Sequence, residues 1–148
     1  MNPNDNNKEI HNEDDIVANC VFCKIIKNEI PAVKIYEDAE TLAFLDINPD
    51  TRGHALIISK SHHENIYSLP VETWCLMNIT AQKIAIAVKN ALSADGVNII
   101  MNNESAAHQI IFHAHIHIIP RYNDFEDKKY TYIVGEMEEL TALLKDVV

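Results

Sequence analysis

Ile110-Ile111-Phe112-His113-Ala114-His115-Ile116-His117-Ile118-Ile119 sets three histidines on alternate positions of an otherwise apolar run. Such a run predicts a β-strand, whose side chains alternate between faces, so the three imidazoles point the same way. Three polar rings on one buried face need partners or a purpose. At about 3.3 Å per residue the outer two stand roughly 13 Å apart along the backbone. One metal ion with ligand bonds of about 2.1 Å reaches a neighbouring pair but not the whole row. The row suits an extended substrate instead, with one ring attacking and its neighbours holding protons. The plainer alternative is a set of histidines hydrogen-bonded to one another beneath a helix.

Upstream of this strand the pattern is α+β. Cys20 to Asn28 predicts a short helical turn, and 33–36, 41–47 and 54–59 read as strands rich in branched and aromatic residues. Pro49-Asp50-Thr51-Arg52-Gly53 is a turn between the last two, so the three form an antiparallel meander. A long helix spans about 70–94, with Trp74, Met77, Ala81, Ile84, Val88 and Ala91 as its core stripe opposite Glu72, Asn78, Lys89 and Asn90. Cys75 reads as a small buried residue within it. A fourth strand at 97–101, the histidine strand as the fifth, and a terminal helix at 136–146 complete a five-stranded antiparallel sheet with one long helix and short terminal helices.

The chain of 148 residues, 47% hydrophobic, is read as a single domain over 16–148 behind an acidic tail at 1–15. That tail sets Asp5, Glu9, Glu13, Asp14 and Asp15 against Lys8 and has few apolar residues, so disorder is expected there. A formal charge of -10 argues against a broad grip on nucleic acid, while a free nucleotide needs only a local pocket. No apolar run approaches the roughly 18 residues that span a bilayer, and the N-terminus lacks a secretory apolar region, so a cytoplasmic location without membrane contact is expected. Three cysteines, two of them in the pair Cys20-x-x-Cys23, fit a reducing compartment and metal or thiol use better than a disulfide framework. That pair is half of a tetrahedral zinc site and also occurs in redox proteins; with no second cysteine pair, any zinc needs two histidines.

The stretch from Asn102 to Arg121 resembles the signature of the histidine triad (HIT) superfamily of nucleotide hydrolases and transferases, in the Hint-like branch that keeps a Cys-x-x-Cys zinc site. Cys20-Val21-Phe22-Cys23, Leu42-Ala43-Phe44-Leu45-Asp46-Ile47 and Gly53-His54-Ala55-Leu56 are similar to the same family in the same order. Ordered blocks are far more specific than one motif.

The resemblance implies that His115 is the nucleophile, attacking an α-phosphorus to give a nucleotidyl-histidine. His117, His54 and His113 complete the catalytic set, with His117 and His54 holding protons around the phosphate. Histidine rather than glutamine at 117 favours hydrolysis over transfer between sugars. The same resemblance puts the ribose on Asp46, the base of a purine nucleotide against Phe22, Ile25, Phe44 and Ile47, and the phosphate beside Asn102 and Gln109. It implies a structural zinc on Cys20, Cys23, His62 and His113, with His63 an open alternative to His62, and a homodimer. The activity implied is cleavage of nucleoside phosphoramidates or related nucleotides. The chain departs from the pattern at His108, usually Gly, and at Ile110, often polar; a β-carbon at 108 is expected to narrow the phosphate mouth or shift the loop. A binding protein with little turnover and a metal-dependent hydrolase using triad histidines as ligands are the competing readings.

Overall fold

Thr41–Leu45 and Ala55–Ser59 are buried on both faces, which makes them the middle of a sheet rather than its rim. The computed structural model describes residues 12–124 and 129–148. It forms five antiparallel strands, β1 (Lys34–Glu37), β2 (Thr41–Leu45), β3 (Ala55–Ser59), β4 (Gly96–Ile100) and β5 (His115–Arg121), in the spatial order β1-β2-β3-β5-β4. Around them stand α1 (Glu13–Asn19), α2 (Val21–Ile26), the long α3 (Val71–Ala91) and α4 (Glu136–Lys145). The meander, the long helix and the terminal helix agree with the pattern in the sequence.

Strand alternation divides the sheet into two apolar layers. Ala43, Leu45, Ala55, Ile57, Ile116 and Ile118 pack with Met77, Ala81, Ile84 and Val88 of α3. Each large side chain buried there contributes roughly 1.5–3 kcal/mol. Leu42, Phe44, Leu56 and Ile58 face the other way, against Phe22, Cys23 and Ile25 of α2. In the β3–β5 register Leu56 pairs with His117 and Ile58 with His115, which puts both histidines on the face that α3 leaves open.

Between β2 and β3 the chain turns through Pro49–Gly53. Gly53 has φ +89°, and a β-carbon on it would collide with the Leu92 side chain, so this turn packs directly on the end of α3. No helix among the described residues is long and apolar enough to cross a membrane.

Several sequence expectations are corrected. The histidine strand begins at His115, not at residue 110, and His113 lies in a bend ahead of it. The reason is competition for this segment: the Ala114 N–H bonds to the His63 carbonyl rather than to a strand, and His113 turns toward two cysteines. Cys75 is exposed. Helix α3 carries a second apolar row, Cys75, Ile79 and Ile86, on its outer face, so apolar neighbours do not imply burial there. The helix also stops at Ala91, before Ser93 takes a positive φ. Glu13, Asp14 and Asp15, assigned to the tail, form the first turn of α1, where carboxylates oppose the helix dipole. Residues 1–11 of that tail lie outside the described residues.

Candidate active site

Above the open face lies a cavity of about 500 Å³, bounded by α2, the ends of β2 and β3, the strand β5 and the loop that carries Asn102, His108 and Ile110. Its floor is built from His115 and His117, with His54 from the start of β3 beside them.

The hydrogen bonds around these rings assign their protons. His115 Nδ1 is 2.7 Å from the His113 carbonyl, which only accepts, so Nδ1 carries the hydrogen and Nε2 keeps its lone pair. The Asp50 backbone N–H donates to His54 Nδ1 at 3.0 Å, which forces the His54 proton onto Nε2. His54 Nε2 in turn is 2.9 Å from His117 Nδ1, so His117 accepts there and carries its own proton on Nε2. Burial, the largest influence, holds His54, His115 and His117 below the ordinary histidine value. The carboxylates of Asp46 and Asp50 pull His54 and His117 back up, but less strongly. The site therefore holds three neutral rings with fixed tautomers.

The pocket wall carries most of the expected binding residues. Phe22 stands edge-on to Phe44 and His115, with ring centroids 5.5 and 5.2 Å away. Ile25, Asp46 and Asn102 line the same cavity, and Ile47 stands on its rim, 76% exposed. Asp46 Oδ1 accepts from the Asn48 N–H, and its Oδ2 lies 3.5 Å from His54 Nε2.

Gln109 departs from expectation. Its amide donates to the carbonyls of Glu64 and Ile111 and accepts from the Glu104 N–H, so the buried side chain props the loop rather than lining the pocket. His108 does line it, in the left-handed conformation (φ 68°, ψ 23°) that glycine adopts freely and other residues adopt at a cost of about 1 kcal/mol. Ile110, 86% exposed, stands on the rim. Sequence reading missed the role of Asp50, because a backbone N–H leaves no trace in residue type. It also missed Lys129, the one lysine or arginine among the described residues lining the cavity.

A second cluster adjoins the first. His113 Nδ1 lies 3.4 Å from Cys20 Sγ and 3.6 Å from Cys23 Sγ, and His62 Nδ1 lies 3.3 Å from Cys23 Sγ. A tetrahedral zinc with ordinary bonds spaces sulfur and nitrogen ligands roughly 3.5 Å apart, so the four residues fit such an ion. His113 Nε2 donates to the Ser59 carbonyl at 2.7 Å, which aims the Nδ1 lone pair at the thiols. His63, the alternative to His62, bonds to Ser61 Oγ instead. Asp46, His54 and His117 also gather within metal-binding reach of one another. They suit a metal poorly, because the Asp50 N–H keeps a proton on the His54 nitrogen that would have to ligate.

A model of the HIT domain matches residues 27–124. The chain belongs to the HIT family. It is 44% identical over 131 residues to an uncharacterized HIT-like protein of Methanocaldococcus jannaschii, covering 86% of this chain and 98% of that one. It is 42% identical over 118 residues to the adenosine 5'-monophosphoramidase of Saccharomyces cerevisiae, covering 80% and 70%. Among solved structures, a zinc-bound histidine triad family protein from Mycobacterium smegmatis superposes with a TM-score of 0.80 at 40% identity, over 88% of this chain and 94% of that one. Cys20 and Cys23 precede the matched residues, so half of the cluster that could hold a metal lies ahead of the match in this HIT protein.

Acid should weaken the fold. The buried rings hold their protons less tightly than an unfolded histidine, whose value is about 6.5, so the unfolded chain binds protons first as pH falls. Their contribution is present above about pH 6.5 and is lost as pH drops through the lower folded values. Urea midpoints should therefore fall between pH 7.5 and pH 5.5; an equal or higher midpoint at pH 5.5 would mean that the rings are charged in the native state.

Proposed function

We propose that this HIT protein is a nucleotide hydrolase that cleaves nucleoside phosphoramidates or related nucleotides through a nucleotidyl-histidine at His115. The observation that carries this reading is the His115 ring, with Nδ1–H held by the His113 carbonyl and Nε2 left to the pocket. The relative named adenosine 5'-monophosphoramidase supports the substrate class. In the first step the Nε2 lone pair attacks the α-phosphorus, and the electrons of the bond to the leaving nitrogen depart with that nitrogen, which carries away a solvent proton. The His117 Nε2–H faces the phosphoryl oxygens and stabilises the charge that builds there. In the second step water attacks phosphorus, releases a proton, and returns the pair to His115.

Asp46 holds the ribose hydroxyls, and Phe22, Ile25, Phe44 and Ile47 enclose a purine base. Asn102 stands at the phosphate. Gln109 supports the loop around it. His113 serves the chemistry through its carbonyl and zinc through its ring. That zinc, held by Cys20, Cys23, His62 and His113, is structural, because four protein ligands leave no position for substrate. The protein acts as a homodimer, with the exposed apolar row of α3 and the neighbouring Val97 and Ile99 of the open-edged β4 pairing with a second copy.

His115→Ala should lower kcat on adenosine 5'-phosphoramidate by more than tenfold while AMP affinity survives, since attack is lost and the wall contacts remain. Turnover within tenfold of wild type, or a trapped nucleotide on another histidine, would reject the assignment. Metal analysis should find one zinc per chain, and Cys20→Ser should lose it together with thermal stability, because binding free energy is folding free energy; protein purified without chelator and lacking zinc would remove the claim. Sedimentation should give twice the chain mass, and Ile79→Asp/Ile86→Asp should give the single mass. A wild-type monomer at micromolar concentration would end the dimer reading.

A further inference from the structure

The turn Pro49–Gly53 is held from outside the pocket. The Gly53 N–H donates to Tyr132 Oη at 3.1 Å, the Tyr130 N–H donates to the Pro49 carbonyl at 3.2 Å, and Arg52 Nε donates to Glu136 Oε1 at 2.9 Å. Glu136 is itself fixed, since Tyr130 Oη donates to Oε1 at 2.6 Å and the Ile133 N–H donates to Oε2 at 3.1 Å. Tyr122 Oη reaches the Arg52 carbonyl from another side. The segment from Tyr130 to the first turn of α4 is thus a clamp on three residues of this turn, Pro49, Arg52 and Gly53, on either side of Asp50. Neither Tyr132 nor Glu136 lines the cavity.

What the clamp secures is one amide. The Asp50 N–H, in the middle of the turn, is the group that puts the His54 proton on Nε2. With that tautomer His117 accepts at Nδ1 and presents Nε2–H to the phosphate. The opposite tautomer of His54 would reverse the pair: His117 would donate from Nδ1 and turn a lone pair toward an anion. Because a neutral imidazole holds its single ring proton on either nitrogen, the choice rests on the environment. A turn that drifts by an ångström loses the contact, since hydrogen bonds weaken steeply with distance and angle.

We propose that Tyr132 and Glu136 are positioning residues for the phosphate chemistry: by clamping the 49–53 turn they aim the Asp50 N–H at His54 and so decide that His117 offers a hydrogen, not a lone pair, to the substrate. This rests on the phosphoramidate-hydrolase reading for its kinetic arm but not for its spectroscopic arm. It goes beyond that reading, because it gives the C-terminal segment a role in turnover that no contact with the nucleotide supplies.

The test uses the full-length chain with 15N-labelled histidine. Long-range proton–nitrogen NMR of the wild type should show His54 as the Nε2–H tautomer and His115 as the Nδ1–H tautomer, with His54→Asn used for assignment. Tyr132→Phe keeps the ring and removes the acceptor, and Glu136→Ala removes the anchor for Arg52. In both variants His54 should show mixed tautomers while His115 stays as it is. Their kcat on adenosine 5'-phosphoramidate should fall threefold or more, with the Kd for adenosine, which lacks the phosphate, within twofold. Glu136→Gln, which keeps the shape and the acceptor oxygen, should recover most of the loss. The proposal is overturned by a wild-type His54 in the Nδ1–H tautomer, a reading that needs no variant to fold. It is also overturned by folded variants whose His54 keeps the wild-type tautomer, whose kcat falls less than threefold, or whose adenosine affinity drops in parallel. A wild type that does not hydrolyse the phosphoramidate defeats the functional reading alone; the His54 spectrum then still decides the positioning.

Discussion

The His113 backbone carbonyl takes the Nδ1–H of His115, and the His113 ring, anchored on the Ser59 carbonyl, turns its remaining lone pair to Cys20 and Cys23. One residue thus fixes the tautomer of the His115 ring and ties it to the cluster that joins α2 to the sheet. The constraint behind this is the cost of burying imidazoles: each ring nitrogen without a partner would cost on the order of 1–3 kcal/mol. No buried side-chain nitrogen or oxygen among the described residues is left without a hydrogen-bond partner. Satisfying one nitrogen of His115 and of His117, and both of His54, removes the freedom to choose a tautomer. That loss of freedom is what makes the site directional.

How much of this was legible in the sequence follows from which physics each residue obeys. β2 and β3 could be read because fully buried strands are continuous apolar runs, and α3 because its core stripe repeats at helical spacing. The start of β5 could not, since Ile110 to Ala114 has strand-like composition and only tertiary bonds pull it away. His115, His117, His54, Asp46 and the Cys-x-x-Cys pair were visible as residue types in ordered blocks. Gln109 was visible but misplaced: a glutamine beside such a loop reads as a ligand, whereas three backbone partners take both of its N–H donors and one acceptor position of its oxygen.

The departures at 108 and 110 acquire a physical meaning from the backbone. His108 occupies the conformation that glycine relieves, and its side chain is delivered to the pocket mouth. With Ile110 on the rim and Lys129 opposite in sign to Asp46 and Asp50, the mouth offers a substrate an imidazole, an alkyl group and one ammonium. Under the proposed function, selectivity among leaving groups would be exercised there, away from the rings of His54, His115 and His117.

Strand order carries a consequence for how the chain reaches this state. β5 is last in sequence among the strands yet sits between β3 and β4, so β4 has no neighbour until residues 115–121 arrive. The pairings it makes are non-local, closing loops from residue 58 to residue 115, and contacts of that kind form late and slowly. A nascent chain shorter than about 121 residues exposes the edges of β3 and β4, and with them two apolar faces, to whatever else is in solution. His115 and His117 ride on the strand that closes the sheet, so the floor of the pocket and the completed sheet appear together, and no earlier, partly ordered form of the chain gathers these rings.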